Sequence, residues 1–221
     1  FIISILFLIQ LPKPSFEEQK VRNRTLKTIF IQPKFLLAVI TSMMSYAVMA
    51  MVMTATPLAM TEYCGYPFRD AAFVIQWHVV GMFAPSFFTG SLINRFGAIS
   101  IIISGILLNL LSIGINLAGT NIFNFWSSLI FLGIGWNFMF VAGTNMLTES
   151  YYPEEKAIVQ GVNDFLVFGS AAIFSLISGI LQTSIGWEGL NLTAVLLLLI
   201  VVIVLIWNYN RLSNTKEISK I

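Results

Sequence analysis

The sequence predicts an all-α integral membrane protein, and three observations carry that reading. First, 57% of its residues are hydrophobic and 10% charged, with a mean hydropathy of +0.85. A water-soluble domain of this length could not hide so much apolar surface. Second, the chain holds six stretches long enough to match the roughly 20 residues that a helix needs to cross a hydrocarbon core. Third, the basic residues are one-sided. When the connections alternate across a membrane, Lys13, Lys20, Arg22, Arg24, Lys27, Lys34, Arg95, Lys156, Arg211, Lys216 and Lys220 fall on one side and only Arg69 on the other. An excess of Lys and Arg marks the cytoplasmic side, which puts the linker and the C-terminus inside.

The elements follow in chain order. The opening "FIISILFLIQL", residues 1–11, is too short to span and has no basic residues ahead of it, as a signal peptide would. It reads as the end of a preceding transmembrane helix, so the chain is expected to be a fragment with further spans upstream. Residues 12–34, "PKPSFEEQKVRNRTLKTIFIQPK", form a charged linker bounded by Pro12, Pro14 and Pro33. Phe16, Leu26, Ile29 and Phe30 among its basic residues fit an amphipathic segment on a membrane surface, and a solvated linker fits equally. A six-helix unit covers 35–209, with spans at about 35–60, 71–93, 98–117, 125–149, 157–184 and 190–209. A tail, 210–221, closes the chain. Cys64 is the single cysteine, which leaves neither a disulfide framework nor a metal cluster to expect. No cofactor and no nucleic-acid partner are expected, and the lipid bilayer is the surrounding phase.

Angular placement at about 100° per residue sorts the polar residues inside the spans. On the second span His78, Gly81, Met82, Pro85 and Thr89 share one side, with Phe73, Val80, Phe83 and Phe87 opposite and Gln76 on the phenylalanine side. The fifth carries a stripe of Gln160, Asp164, Ala171, Ser175, Ser178 and Gln182, backed by Val162, Leu166, Ile173, Ile177 and Ile180. Ser42, Tyr46, Met49, Met53, Thr56 and Met60 align on the first span, and Asn137, Thr144 and Thr148 on the fourth, with Gly133 below. The third span shows scattered Asn and Ser without a clean stripe, and the last has nothing polar beyond its first turn. Polar groups at bilayer depth persist only where protein or water meets them. Four striped helices and two outer ones therefore suggest half of a transporter.

Residues 90–97, "GSLINRFG", resemble the loop motif G-x-L-x-D-R-x-G of the major facilitator superfamily, with Gly90, Asn94, Arg95 and Gly97 at motif positions. Asn94 stands where Asp is usual, and no basic residues follow Gly97, so a charge relay through this loop is not implied. The order of spans is similar to helices seven to twelve of that family. The resemblance implies a six-helix half-bundle of a twelve-helix fold, in the inner membrane of a bacterium, with a missing N-terminal six-helix half. Its cavity helices seven, eight, ten and eleven correspond to the four striped spans. More narrowly, "VMTATPLAMTEYCGYPFRDAAFVIQWHVVGMFAPSFFTG" resembles a bacterial branch that includes proposed riboflavin transporters. The resemblance implies secondary active transport of a small solute by alternating access.

On that reading the candidate cavity residues are Tyr46, Met49, Met53, His78, Met82, Asn137, Thr144 and Ser175. The methionine row beside Tyr46 suits a planar or amphipathic ligand, because thioethers adapt to irregular apolar surfaces, and ordinary helix packing accounts for it too. His78 either meets substrate or a proton, or bonds a neighbouring helix. Trp136 and Asn137 offer a stacking face and an amide. Asp164 is the acid clearly inside a span, and proton coupling needs such a group; a structural pairing with Lys156 or Arg95 is the alternative. Glu149 belongs to the interface. Pro85, with Gly81 and Gly90, gives the second span a place to bend. A membrane-embedded enzyme finds no support in a chain with one histidine, no HExxH and no paired intramembrane aspartates. A channel or structural subunit is the remaining rival class.

Overall fold

The computed structural model describes residues 25–218 as a bundle of helices joined by short turns. We label them α1 (Leu26–Phe30), α2 (Pro33–Leu58, continued as a π-helical turn over Ala59–Tyr63), α3 (Phe68–Phe83), α4 (Ser86–Phe96), α5 (Ala98–Ala118), α6 (Ile122–Thr148) and α7 (Lys156–Ile218). The expected helix end over 1–11, the linker up to residue 24 and the last three residues lie outside the described part.

Helical structure satisfies every backbone group within its own segment, which lipid demands, and the sequence marks where each helix stops. Gly97 separates α4 from α5 with φ of 84°, a left-handed conformation that a residue with a Cβ rarely adopts. The last glycine of the loop motif thus makes the turn. Gly186, with φ of 71°, breaks α7 internally. The apolar stretch containing it, Pro153–Arg211, is 59 residues long. At 1.5 Å per residue that is about three times a hydrocarbon core of roughly 30 Å, so α7 comprises two spans, arms 156–185 and 187–218. On the second span, α3 and α4 meet at an angle of 41° across Ala84 and Pro85. Asn121 caps α6 by accepting from the backbone N–H of Asn124 at 2.9 Å.

Among the described residues six spans result when the bent pair counts as one and α7 as two. The first, α2, runs through the middle: 78% of its apolar window is buried, against 39% for α5 and 33% for the α7 stretch. It packs chiefly on α7 and α6. Ile29, fully buried, joins the main core, and Phe30 packs on Phe35. The end of the linker is thus seated on protein, while the side chains of Phe16 and Leu26 lie outside the description.

One sequence expectation is corrected. The third span does carry a stripe: Gly105, Asn109, Ser112 and Asn116 are buried together on one side of α5, with Ser100 and Ser104 off it. A Cβ on Gly135 of α6 would come within 2.5 Å of Asn109 Nδ2 and 2.9 Å of the Gly105 carbonyl. Small residues let the two backbones approach and the polar groups bond locally, and Asn109 Nδ2 donates to the Gly105 carbonyl at 2.8 Å. At the stripe's far end Asn116 Nδ2 donates to Asn191 Oδ1 of the last span at 2.8 Å. This stripe is a packing seam.

Candidate functional site

The second span orients as its helical angles require. His78, Gly81, Met82, Pro85 and Thr89 are all buried, whereas Phe73, Gln76, Val80, Phe83 and Phe87 are exposed. The buried side meets α6 at close range: a Cβ on Gly133 would come within 2.7 Å of the His78 carbonyl, and one on Gly81 within 2.8 Å of the Ile130 carbonyl. His78, fully enclosed in this seam, bonds through Nδ1 to the Leu129 carbonyl oxygen at 2.7 Å. A carbonyl only accepts, so the imidazole carries its proton on Nδ1. The histidine is thus held against a neighbouring helix rather than pointing into a chamber. Ser42, also fully buried, lies opposite Gly143 of α6, where an added Cβ would come within 2.5 Å of its Oγ.

Four of the predicted cavity residues do converge. Met49, Met82 and Trp136 are buried together in a cluster separate from the main core, with Tyr46, Met53 and Phe140 partly buried around them. Trp136 stacks on Phe140, centroids 5.3 Å apart and planes 10° from parallel. Tyr46 meets both edge-on, at 5.0 Å and 4.9 Å. Phe83 and Phe168 flank the group. The indole Nε1 of Trp136 is buried with no hydrogen-bond partner among the described residues. Three spans thus contribute to an aromatic and thioether chamber filled by its own side chains, and Phe168 brings in a fourth.

Asn137 follows Trp136 but turns away from the chamber. Its Nδ2 donates to the Met82 carbonyl at 2.8 Å and to Ser86 Oγ at 2.7 Å. Thr89 Oγ1 lies 2.7 Å from Asn137 Oδ1 and 2.8 Å from the Pro85 carbonyl, sharing one proton between two acceptors. The amide expected to meet a solute is used by the bent helix.

The remaining candidates lie toward the Glu149 end of the bundle or along α7. Thr144 returns its hydroxyl to the Phe140 and Val141 carbonyls and, with Thr148, Gln160, Asn163 and Asp164, lines a 390 Å³ pocket between α6 and the first arm of α7. Asp164 is exposed there, accepting from Asn163 Nδ2 at 3.1 Å, and makes no ion pair with Lys156 or Arg95. The buried residues of this arm are Val159, Asn163, Val167, Ser170, Ser178 and Gln182. Over its first half the inward face is therefore rotated by about one residue from the predicted stripe. Ser175 Oγ lies 3.1 Å from Thr54 Oγ1 of α2. In the loop motif Gly90, Asn94, Arg95 and Gly97 are exposed, and Asn94 and Gly97 border a 480 Å³ cleft with Lys34 and Glu149. Lys34 and Glu149 form an ion pair. Sequence reasoning singled out neither Phe140 nor Phe168. Their signal was spacing: Trp136 and Phe140 are four apart on one helix face, as Tyr46, Met49 and Met53 are three and four apart on theirs.

Comparison with known proteins places this geometry. Residues 2–220 match the family model of the Major Facilitator Superfamily. The chain is 44% identical over 191 residues to the riboflavin transporter RfnT of Brucella anthropi, an overlap of 86% of this chain and 48% of that protein. Two uncharacterized MFS-type transporters of Bacillus subtilis are also similar. YddS is 28% identical across 96% of this chain and 52% of its own length. YdeG is 30% identical across 74% of this chain and 38% of its own length. The chain thus spans about half the length, or less, of these relatives. With several long apolar helices, a multi-pass arrangement and this match across nearly its whole length, the chain belongs to the Major Facilitator Superfamily of membrane transporters.

Proposed function

We propose that this chain is the C-terminal half of a secondary carrier that moves a planar aromatic solute, riboflavin or a close relative of it, by alternating access. The observation that carries the reading is the chamber of Tyr46, Met49, Met53, Met82, Trp136 and Phe140. It gathers aromatic rings and thioethers from three spans, side chains suited to packing on a flat aromatic solute. The similarity to a protein named as a riboflavin transporter supports the solute class. A second six-helix half supplies the opposite wall, so alternating access needs the full-length carrier. The eleven-to-one distribution of basic residues supports a cytoplasmic linker and C-terminus, in the inner membrane of a bacterium. Asp164, on the wall of its own polar pocket, is the group proposed to couple transport to protons.

Uptake measured in cells lacking other flavin transport tests the reading. Cells expressing the full-length carrier accumulate labelled riboflavin saturably, unlabelled flavin competes and a sugar or amino acid does not, and preloaded vesicles show counterflow. A solute flux that neither saturates nor shows counterflow indicates the rival class, a channel. Saturable uptake of a non-aromatic solute that flavin does not inhibit contradicts the proposed substrate.

A further inference from the structure

Proline at position 85 removes the N–H that would bond the Gly81 carbonyl and opens the helix there. The helical ladder resumes with Thr89 N–H on the Pro85 carbonyl at 2.9 Å. In a regular helix the Ser86 N–H would occupy the Met82 carbonyl; here Asn137 Nδ2 occupies it from the neighbouring helix. The same amide reaches Ser86 Oγ, and its oxygen faces Thr89 Oγ1. One buried side chain therefore bonds residues on both sides of the bend, Met82 in α3 and Ser86 and Thr89 in α4.

One end of this connection belongs to a chamber residue and the other to the chain neighbour of one. Met82, whose carbonyl is held, packs its side chain against Met49 and Trp136, and Asn137 is the residue after Trp136. The arm held by Ser86 and Thr89 ends at Gly97, and its Asn94 borders the cleft shared with Lys34 and Glu149. We infer that Asn137 is a positioning residue that fastens the open backbone at Pro85 to the chamber wall, so that the seating of a solute against Trp136 and the angle of the arm 86–96 change together. Thr89 shares the fastening and is itself fully buried. The transport consequence rests on the proposed carrier function; the fastening of the bend does not.

The test uses the full-length carrier in lipid nanodiscs, with Cys64→Ser and spin labels at the exposed positions Val79 and Ser91, on either side of the bend. Without any solute the parent gives a narrow distance distribution. Asn137→Leu and, more weakly, Thr89→Val widen it. Adding Pro85→Ala to Asn137→Leu narrows it again, because a restored Ser86 N–H then bonds Met82 itself. Distributions unchanged in both single variants overturn the inference, whatever the solute. In the uptake assay, Asn137→Leu lowers the maximal rate about tenfold and moves the half-saturation concentration by less than about threefold, the split expected when a step after binding is lost. A higher half-saturation concentration at an unchanged maximal rate makes Asn137 a solute contact and overturns it too. Failure of the parent to take up riboflavin counts against the proposed substrate and leaves the label measurement to decide the fastening.

Discussion

Two polar regions of the same bundle show why composition alone does not identify a transport site. Along the buried side of the second span, His78, Thr89 and Asn137 find partners on adjacent helices or on the bent backbone itself. Across the first arm of α7, Gln160 and Asp164 face a pocket, and the carboxylate is exposed. By sequence both are polar residues inside apolar helices. The first region is held by its neighbours through His78 Nδ1 and the amide of Asn137, with His78 Nε2 buried and without a partner among the described residues; the second lines an open pocket. Between them the aromatic chamber has the opposite character, an apolar wall with one unpartnered indole N–H.

The largest effect that would sharpen this contrast is expected at Asp164. Asp164→Asn keeps the shape but cannot change charge, so in the full-length carrier it should reduce the accumulation ratio to one while exchange at equal concentrations continues. Accumulation with unchanged pH dependence would move coupling elsewhere. Next comes the chamber: removing one stacking face costs about 1–3 kcal/mol when the ligand is a nucleobase-like ring, so Trp136→Ala should weaken flavin binding roughly fivefold to 150-fold, read by titration. A smaller effect is expected in the closed region. His78→Phe leaves a buried seam without its hydrogen bond, worth about 1 kcal/mol, and should lower the thermal midpoint by about 2–4 °C while half-saturation for uptake stays near the parent value. If His78→Phe instead abolished binding at an unchanged midpoint, the contrast between closed and open regions would break. Gln76→Leu, on the exposed face, should change neither. Finally, an impermeant thiol reagent should reach the exposed Cys64 only from outside the cell; labelling from the cytoplasm alone would reverse the topology.

Much of the fold was legible because the bilayer imposes few solutions. Length and apolarity gave the spans, and period 3.6 gave the faces of the second, where exposed Phe87 and buried His78 sit as predicted. The motif "GSLINRFG" announced the turn that Gly97 makes. The stripe on α5 was less legible because its spacing of four, three and four was diluted by Ser100 and Ser104, which lie on other faces. On α7 the inward face of the first arm drifts by a residue, since Asn163 and Ser170, absent from the predicted stripe, pack inward while Asp164 does not. The candidate site was half readable. Tyr46, Met49, Met53 and Met82, read from the sequence as cavity residues, pack in one cluster, but sequence cannot say whether an amide is already spent. The three bonds of Asn137 come from residues 48 to 55 positions away, beyond the reach of helical periodicity.

On the proposed function, Trp136 and its neighbours form the face on which a planar solute stacks. Riboflavin fluorescence, followed as the full-length purified carrier is titrated in nanodiscs, tests this directly, since a ring stacked on indole loses emission. Saturable quenching that Trp136→Leu abolishes and that Gln76→Leu leaves intact is the expected result. Quenching of equal depth and midpoint in Trp136→Leu would contradict it.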